Sequence, residues 1–151
     1  MKPEITATIA KFGHPATLVG DLTWWAALYR PKQVTLGSLV LAAKCPVTSF
    51  SDLPPAAFSD LGEAVRRVER MLSAFCQYEK INYLMLMMVD PHPHFHVIPR
   101  YGAPRTFGSI VVADHGWPGQ PALDQAIMLT KEIEARAISE LRALWRSSDG
   151  G

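Results

Sequence analysis

The sequence predicts an α+β fold in which an antiparallel sheet of about five strands packs against a long helix, with a second helix near the C-terminus. Three observations support this prediction. Short β-rich segments occur in pairs joined by turn residues, helical segments do not alternate with single strands, and 151 residues are enough to bury one core. We therefore expect one domain over residues 1–146 and a flexible tail over residues 147–151.

The first half of the chain contains the signals for three strands and the long helix. Valine, threonine and two tryptophans surround Gly20-Asp21 within residues 18–28, which predicts a hairpin. Residues 34–42 are β-rich and predict a further strand. A helix is expected after Pro54-Pro55, because proline suits a first helical turn. One helix face is marked by apolar residues three or four positions apart: Phe58, Leu61, Val65, Val68, Leu72 and Phe75.

The second half predicts another strand pair and the second helix. The apolar run over residues 81–89 ends at the turn signal Asp90-Pro91, and a strand is expected to return over residues 94–101. We expect this antiparallel pair at the centre of the sheet. Residues 102–120 hold four glycines and should be mostly loop. A helix is predicted over residues 121–146, with an apolar stripe formed by Leu129, Ile133, Ala137, Leu141 and Leu144.

An imidazole occurs at every second position in the segment His-Pro-His-Phe-His-Val-Ile-Pro-Arg, residues 92–100. Because strand side chains alternate between two faces, His92, His94 and His96 should share one face, with Phe95 directed towards the core. The prolines in and beside this segment disfavour a helix, which would also scatter the three rings. Each buried imidazole needs its own hydrogen-bond partner, so three of them indicate a functional site rather than core packing.

Two chemistries suit such a group of histidines. A neutral imidazole is a nucleophile near pH 7, and a second ring two positions along the strand can contact the same phosphoryl group. Imidazole is also a common metal ligand, and Asp90 and Asp114 offer carboxylates. A tetrahedral metal site needs a fourth ligand and supporting carboxylates, and neither aspartate lies at a recognised metal spacing. Metal binding therefore ranks second.

Composition narrows the classes of partner. A net charge of +1 gives no overall electrostatic attraction to nucleic acid or to an anionic membrane. The apolar run over residues 83–89 is too short to span a bilayer, and the N-terminus lacks the apolar segment of a secretion signal. Cys45 and Cys76 are widely spaced, which is typical of unpaired thiols in a reducing compartment. We expect a cytoplasmic protein that binds neither nucleic acid nor membrane.

The histidine segment resembles the His-x-His-x-His-x-x motif of the histidine triad nucleotide hydrolases and transferases. The resemblance extends over about residues 15–117, and residues 80–84 look most like the bacterial branch related to diadenosine polyphosphate hydrolases. It implies that His94 attacks the α-phosphorus and becomes a nucleotidyl-phosphohistidine. It further implies that His96 contacts the phosphate and assists the leaving group, and that His92 supports His94.

The same resemblance implies a nucleotide substrate, either a dinucleoside polyphosphate or a nucleoside phosphoramidate, and a homodimer. It implies no tightly bound cofactor and no metal ligand, although a divalent cation can accompany the substrate. Asn82 and Arg100 are further candidates for substrate binding, because an amide and a planar guanidinium suit phosphate contacts.

The chain departs from this family just before the histidines. Residues 87–91, Met-Met-Val-Asp-Pro, take the place of a Gly-rich loop whose polar side chains reach the phosphate. This departure keeps two alternatives open beside the nucleotide hydrolase. One is a nucleotide-binding module with little turnover, and the other is a metal-dependent hydrolase that uses the histidines as ligands.

Overall fold

Five antiparallel strands form the central sheet in the computed structural model, which describes residues 1–149. The spatial order of the strands is β1-β2-β3-β5-β4. They are β1 (Leu18–Asp21), β2 (Trp25–Tyr29), β3 (Leu39–Ala43), β4 (Lys80–Leu84) and β5 (His94–Arg100). A separate hairpin pairs β6 (Arg105–Phe107) with β7 (Ile110–Val112). The helices are α1 (Ala7–Lys11), α2 (Pro55–Cys76) and α3 (Lys131–Ser147). The predicted α+β fold class is confirmed.

The sheet separates two groups of buried side chains, because successive residues of each strand face opposite sides. The larger group joins the sheet to α2 and α3, and it includes Trp25, Tyr29, Leu41, Val97, Val68, Leu72 and Leu141. The smaller group joins Ala26, Leu28, Val40 and Ala42 to Ile9 of α1. In β5, His94 and His96 pair with Ala42 and Val40 of β3. Both histidines therefore lie on the α1 side of the sheet.

The long helix begins where the sequence predicts, with Pro54 extended at its N-cap. The second helix begins later than predicted. The side chain of Thr130 caps α3 by accepting a hydrogen bond from the backbone N–H of Ile133 at 3.3 Å. The prediction of helix over residues 121–130 is therefore wrong.

The predicted position of the β4–β5 pair is wrong in one respect. β5 lies inside the sheet between β3 and β4, but β4 occupies the edge. β4 also ends at Leu84, although the apolar run continues to Val89. Met87 has a φ of 50°, in the left-handed region that a strand does not use. Residues 86–90 consequently form a loop beside the histidines.

The predicted tail over residues 147–151 lies partly outside the described residues, which end at 149. Within them, Ser147 is the last residue of α3 and Ser148 is buried. The Ser148 hydroxyl accepts a hydrogen bond from Arg67 Nε at 3.1 Å. Side-chain contacts therefore extend to Ser148, and the flexible tail stays a prediction. No helix within residues 1–149 has the length and apolar character needed to cross a membrane.

Candidate active site at the histidines of strand β5

Two imidazoles lie side by side at the start of β5. The ring centroids of His94 and His96 are 5.2 Å apart and the rings are nearly perpendicular. Phe12, which follows α1, lies 5.8 Å from each ring. His94 is only 2% exposed and His96 is 9% exposed. This packing restrains both rings, as a reactive pair requires.

A cavity of about 440 Å³ opens onto these two rings. Its walls come from β5, from the end of α1, from the residues after β2 and from the loop after β4. The lining residues are Lys11, Phe12, Arg30, Pro31, Lys32, Leu86, Met87, Met88, Val89, Asp90, His94 and His96. The volume lies in the range of small-molecule sites.

The tautomer of neutral His94 follows from its backbone partner. Its Nδ1 lies 2.7 Å from the carbonyl oxygen of His92. A carbonyl oxygen only accepts hydrogen bonds, so Nδ1 must carry the proton. In a neutral imidazole the other nitrogen, Nε2, then holds a lone pair. No hydrogen bond within residues 1–149 engages that Nε2, so its lone pair is available for reaction.

His96 has the opposite tautomer. Arg30 Nε lies 3.4 Å from His96 Nδ1, and a guanidinium only donates hydrogen bonds. Nδ1 therefore accepts, and the proton of neutral His96 is on Nε2. Burial, the charge of Arg30 and the neighbouring His94 lower the pKa of His96 to about 4, while Asp90 opposes this shift. His96 is consequently neutral at physiological pH.

His92 lies outside the strand, so the prediction that three imidazoles share one strand face holds only for His94 and His96. Pro93 follows His92 and has no N–H for the sheet ladder, and β5 begins at His94. The His92 ring donates from Nδ1 to the carbonyl oxygen of Val47 at 2.9 Å, in the segment after β3. His92 contacts the His94 side chain through its backbone carbonyl oxygen.

Asn82 and Arg100 lie together, but they do not line the histidine cavity. Arg100 donates from Nη1 to Asn82 Oδ1 at 2.7 Å. It also donates from Nε and Nη2 to the two carboxylate oxygens of Asp114, at 2.7 and 3.2 Å. The side chains of Arg100 and Asp114 are only 4% and 1% exposed. Arg100 and Asn82 border a second cavity, beside Trp117 and the residues that follow it.

Comparison with solved structures identifies the architecture. No protein-family model matches the sequence, and no curated protein matches it. A histidine triad protein from Bradyrhizobium japonicum is 21% identical, with a TM-score of 0.69 over 95% of this chain and 98% of that chain. A hypothetical histidine triad nucleotide-binding protein from Sulfolobus tokodaii is 17% identical, with a TM-score of 0.68 over 87% of this chain and 84% of that one. A Zn-bound histidine triad family protein from Mycobacterium smegmatis is 16% identical, with a TM-score of 0.61 over 93% and 91% of the two chains. The chain has the histidine triad fold.

Within this histidine triad fold, sequence reasoning missed the basic residues of the cavity. Lys11, Arg30 and Lys32 bring three positive charges, against the single carboxylate of Asp90. Lys11 Nζ contacts Asp90 Oδ1 at 2.6 Å across the cavity. Arg30 and Lys32 closely follow β2, and these two basic residues could have indicated an anion site from the sequence. Nothing in the sequence connects Lys11 to the histidines. The excess of positive charge favours an anionic ligand.

The histidine triad fold here carries no evident metal-ligand cluster in its described part. Residues 1–149 contain no group of three or more His, Cys, Asp or Glu side chains that could hold a metal ion. The zinc belongs to the Mycobacterium protein. The metal-dependent hydrolase therefore stays a prediction from the sequence.

Proposed function

We propose that the protein is a nucleotide hydrolase or nucleotidyl transferase that acts at a nucleoside α-phosphate through a covalent intermediate on His94. The observation that carries this proposal is the hydrogen bond from His94 Nδ1 to the carbonyl oxygen of His92. It leaves the lone pair on Nε2, in a ring that lines a cavity with an excess of positive charge. A nucleophile, a fixed tautomer and local cations are the requirements for attack on a phosphoryl group.

In the proposed reaction, His94 Nε2 forms a bond to the α-phosphorus. The bond from phosphorus to the leaving group breaks, and its electron pair departs with the leaving group. Water then attacks phosphorus and loses one proton to the solvent, the P–N bond returns its electron pair to Nε2, and a nucleoside monophosphate is released. In a transferase, another acceptor replaces water. The covalent intermediate divides one difficult displacement into two easier ones.

The remaining cavity residues suit these two steps. Burial lowers the pKa of the Arg30 guanidinium, which remains charged at neutral pH. Arg30 and Lys32 can therefore offset the charge that develops on the transferring phosphoryl group. The Sulfolobus protein is described as nucleotide-binding, which agrees with a nucleotide as the ligand class. Dinucleoside polyphosphates and nucleoside phosphoramidates are the substrate types to test.

A nucleotide-binding module with little turnover is the second candidate. It is favoured by the loop after β4, where residues 86–89 line the cavity with apolar side chains only. Met88 and Val89 are 81% and 85% exposed. Such side chains cannot donate hydrogen bonds to a phosphoryl group, so charge stabilisation there depends on Arg30, Lys32 and His96.

The deciding experiment is an intact-mass measurement after a rapid alkaline quench, because the P–N bond of a nucleotidyl-histidine hydrolyses in acid. The purified protein is mixed with diadenosine tetraphosphate or adenosine phosphoramidate, with and without a chelator. We expect the protein to gain one adenylyl group and to release AMP, and His94→Ala to abolish both. His115→Ala is the matched control, because His115 is exposed and lies outside the cavity.

The other outcomes of this experiment would support a different function or refute the proposed mechanism. Nucleotide binding without product would support the binding module. Loss of turnover in chelator would support the metal-dependent hydrolase. Full activity of His94→Ala would refute covalent catalysis by this residue.

We also propose a cytoplasmic homodimer. β4 pairs with β5 along one edge and is the last strand of the sheet, so within the described residues its other edge has no strand partner. An unpaired edge of this kind can pair with a second chain. Light scattering coupled to gel filtration tests the proposal, and a monomeric mass at micromolar concentration would contradict it.

A further inference from the structure

We propose that Arg30 fixes His96 as a neutral hydrogen-bond donor, and that the site therefore selects substrates whose leaving group departs as an anion. This inference rests on the proposed function and deepens it. It favours phosphoanhydrides, such as dinucleoside polyphosphates, over phosphoramidates. Arg30 acts in part through His96, so for leaving-group choice it is a positioning residue.

Arg30 is held in place by contacts on several sides. Its backbone N–H donates to the carbonyl oxygen of Ser38 at 3.0 Å, directly after the end of β2. Its Nη1 donates to the carbonyl oxygen of Lys32. Its Nε faces His96 Nδ1 at 3.4 Å. The planar guanidinium is thus oriented before any substrate arrives, with Nε directed at the histidine ring.

This orientation makes protonation of His96 unfavourable. A proton on Nδ1 would remove the acceptor of the Arg30 hydrogen bond and place two cations in contact within a buried site. Burial is the largest cause that lowers the pKa of His96 and Arg30 the next; His94 also disfavours the cation, and Asp90 favours it. The Asp90 carboxylate is already paired with Lys11, which limits its support of an imidazolium. His96 therefore presents Nε2–H as a neutral donor.

A neutral donor restricts the leaving group. When His94 attacks a phosphoanhydride, the bridging oxygen departs with the electron pair of the P–O bond as a phosphate anion. That anion needs a hydrogen bond from His96 but no proton. When the leaving atom is an amine nitrogen, the electron pair of the P–N bond must be protonated as the bond breaks. A neutral imidazole N–H is not an acid at physiological pH, so His96 cannot supply that proton.

The charges of the cavity agree with this selection. Lys11, Arg30 and Lys32 outnumber the one carboxylate that lines the cavity. A leaving nucleotide carries several negative charges that these cations can stabilise, whereas a neutral amine carries none.

Leaving groups of equal charge give the sharpest kinetic test. AMP aryl esters with phenols of graded acidity are assayed at neutral pH, beside diadenosine tetraphosphate and adenosine phosphoramidate. For the wild type we expect kcat/KM to fall steeply as the phenol becomes less acidic. General acid catalysis contributes about 10²- to 10⁴-fold, so we expect the phosphoramidate to be disfavoured by a factor of that order.

Arg30→Met and Lys32→Met form the matched pair of variants. Arg30→Met should partly flatten the dependence on phenol acidity, because it removes the hydrogen bond and charge of Arg30 that oppose protonation of His96, while burial of the ring remains. Lys32→Met removes a neighbouring charge but no contact of His96, so it should shift all aryl esters alike. Equal slopes in the wild type and Arg30→Met, or equal kcat/KM of the wild type for phosphoramidate and phosphoanhydride, would overturn the inference and leave the proposed function intact.

A second measurement reports on His96 without any turnover. Nitrogen-15 NMR of the histidine rings should find the His96 proton on Nε2 and no titration of this ring between about pH 5 and pH 8. In Arg30→Met the ring should titrate closer to the ordinary value of about 6.5. A His96 ring that titrates near that value in the wild type would overturn the inference. If no nucleotide is cleaved, the proposed function and the leaving-group selection both fail, while NMR still decides whether Arg30 fixes the tautomer.

Discussion

Removal of the Asp114 carboxylate should unfold the protein far more readily, because this group neutralises a buried guanidinium. Asp114 accepts two hydrogen bonds from Arg100 and one each from the backbone N–H groups of Tyr101 and Gly116, the last two at 3.2 Å. In Asp114→Ala, Arg100 would keep its contact with Asn82 but no counter-charge. Breaking a buried ion pair from one side costs about 3–5 kcal/mol. For about 150 residues, this corresponds to a fall in Tm of roughly 6–20 °C.

Urea unfolding followed by circular dichroism measures this effect. Asp21→Ala is the matched control, because Asp21 pairs with Lys44 but is 57% exposed. Such a surface pair is worth only about 0–1 kcal/mol. Asp114→Asn keeps one carbonyl acceptor and should fall between the two. An Asp114→Ala midpoint equal to that of Asp21→Ala would refute the structural role of the pair.

Three further predictions concern the histidines and the cavity. His92→Ala should lower the free energy of unfolding by about 0.5–1.5 kcal/mol, because the hydrogen bond to Val47 is lost. It should keep kcat within a fewfold, because the backbone carbonyl that orients His94 remains. A loss of activity as large as that of His94→Ala would contradict this. The pKa of His96 is lowered to about 4 in the folded protein, so the unfolded chain binds the proton more tightly. The free energy of unfolding should therefore fall by up to about 3 kcal/mol as the pH drops from about 6.5 towards 4. Urea midpoints of the wild type and His96→Gln across that pH range test this, and parallel curves would count against it. Lys32→Met should lower kcat/KM severalfold for an anionic nucleotide, and the difference from the wild type should shrink at high salt. A kcat/KM that is independent of ionic strength in both proteins would exclude an electrostatic role.

The fold was largely predictable because its signals are local. The hairpin over residues 18–28, the proline start of α2 and most of its apolar stripe all act within a few residues and agree with the structure. The turn itself falls at residues 22–24, since Gly20 and Asp21 pair within β1, and Phe58 of the stripe is exposed. Strand order was not predictable in the same way. The run over residues 81–89 is apolar enough for a central strand, yet its first residues form the edge strand and its last residues form a cavity wall. Apolar composition alone does not distinguish a central strand from an edge strand or from a cavity wall.

Residue spacing alone was enough to predict histidines on one face of a strand; it predicted three, and the structure has His94 and His96 there. The spacing of His94 and His96 matches the two-residue period of a strand, and this period is a local property of the backbone. The presence of Pro93 also explains why His92 does not join them.

The chemical roles of His96 and Arg100 depend on contacts between distant parts of the chain. The partner that orients His96 is Arg30, 66 residues earlier in the chain, and the partner of Arg100 is Asp114 rather than a ligand in the histidine cavity. The tautomer of His94 is set locally, by the carbonyl oxygen of His92 two residues earlier. The tautomer of His96 depends on the distant contact with Arg30, because a hydrogen bond at one ring nitrogen determines the role of the other. Such contacts form only when separate elements pack together, so the local spacing of residues cannot specify them.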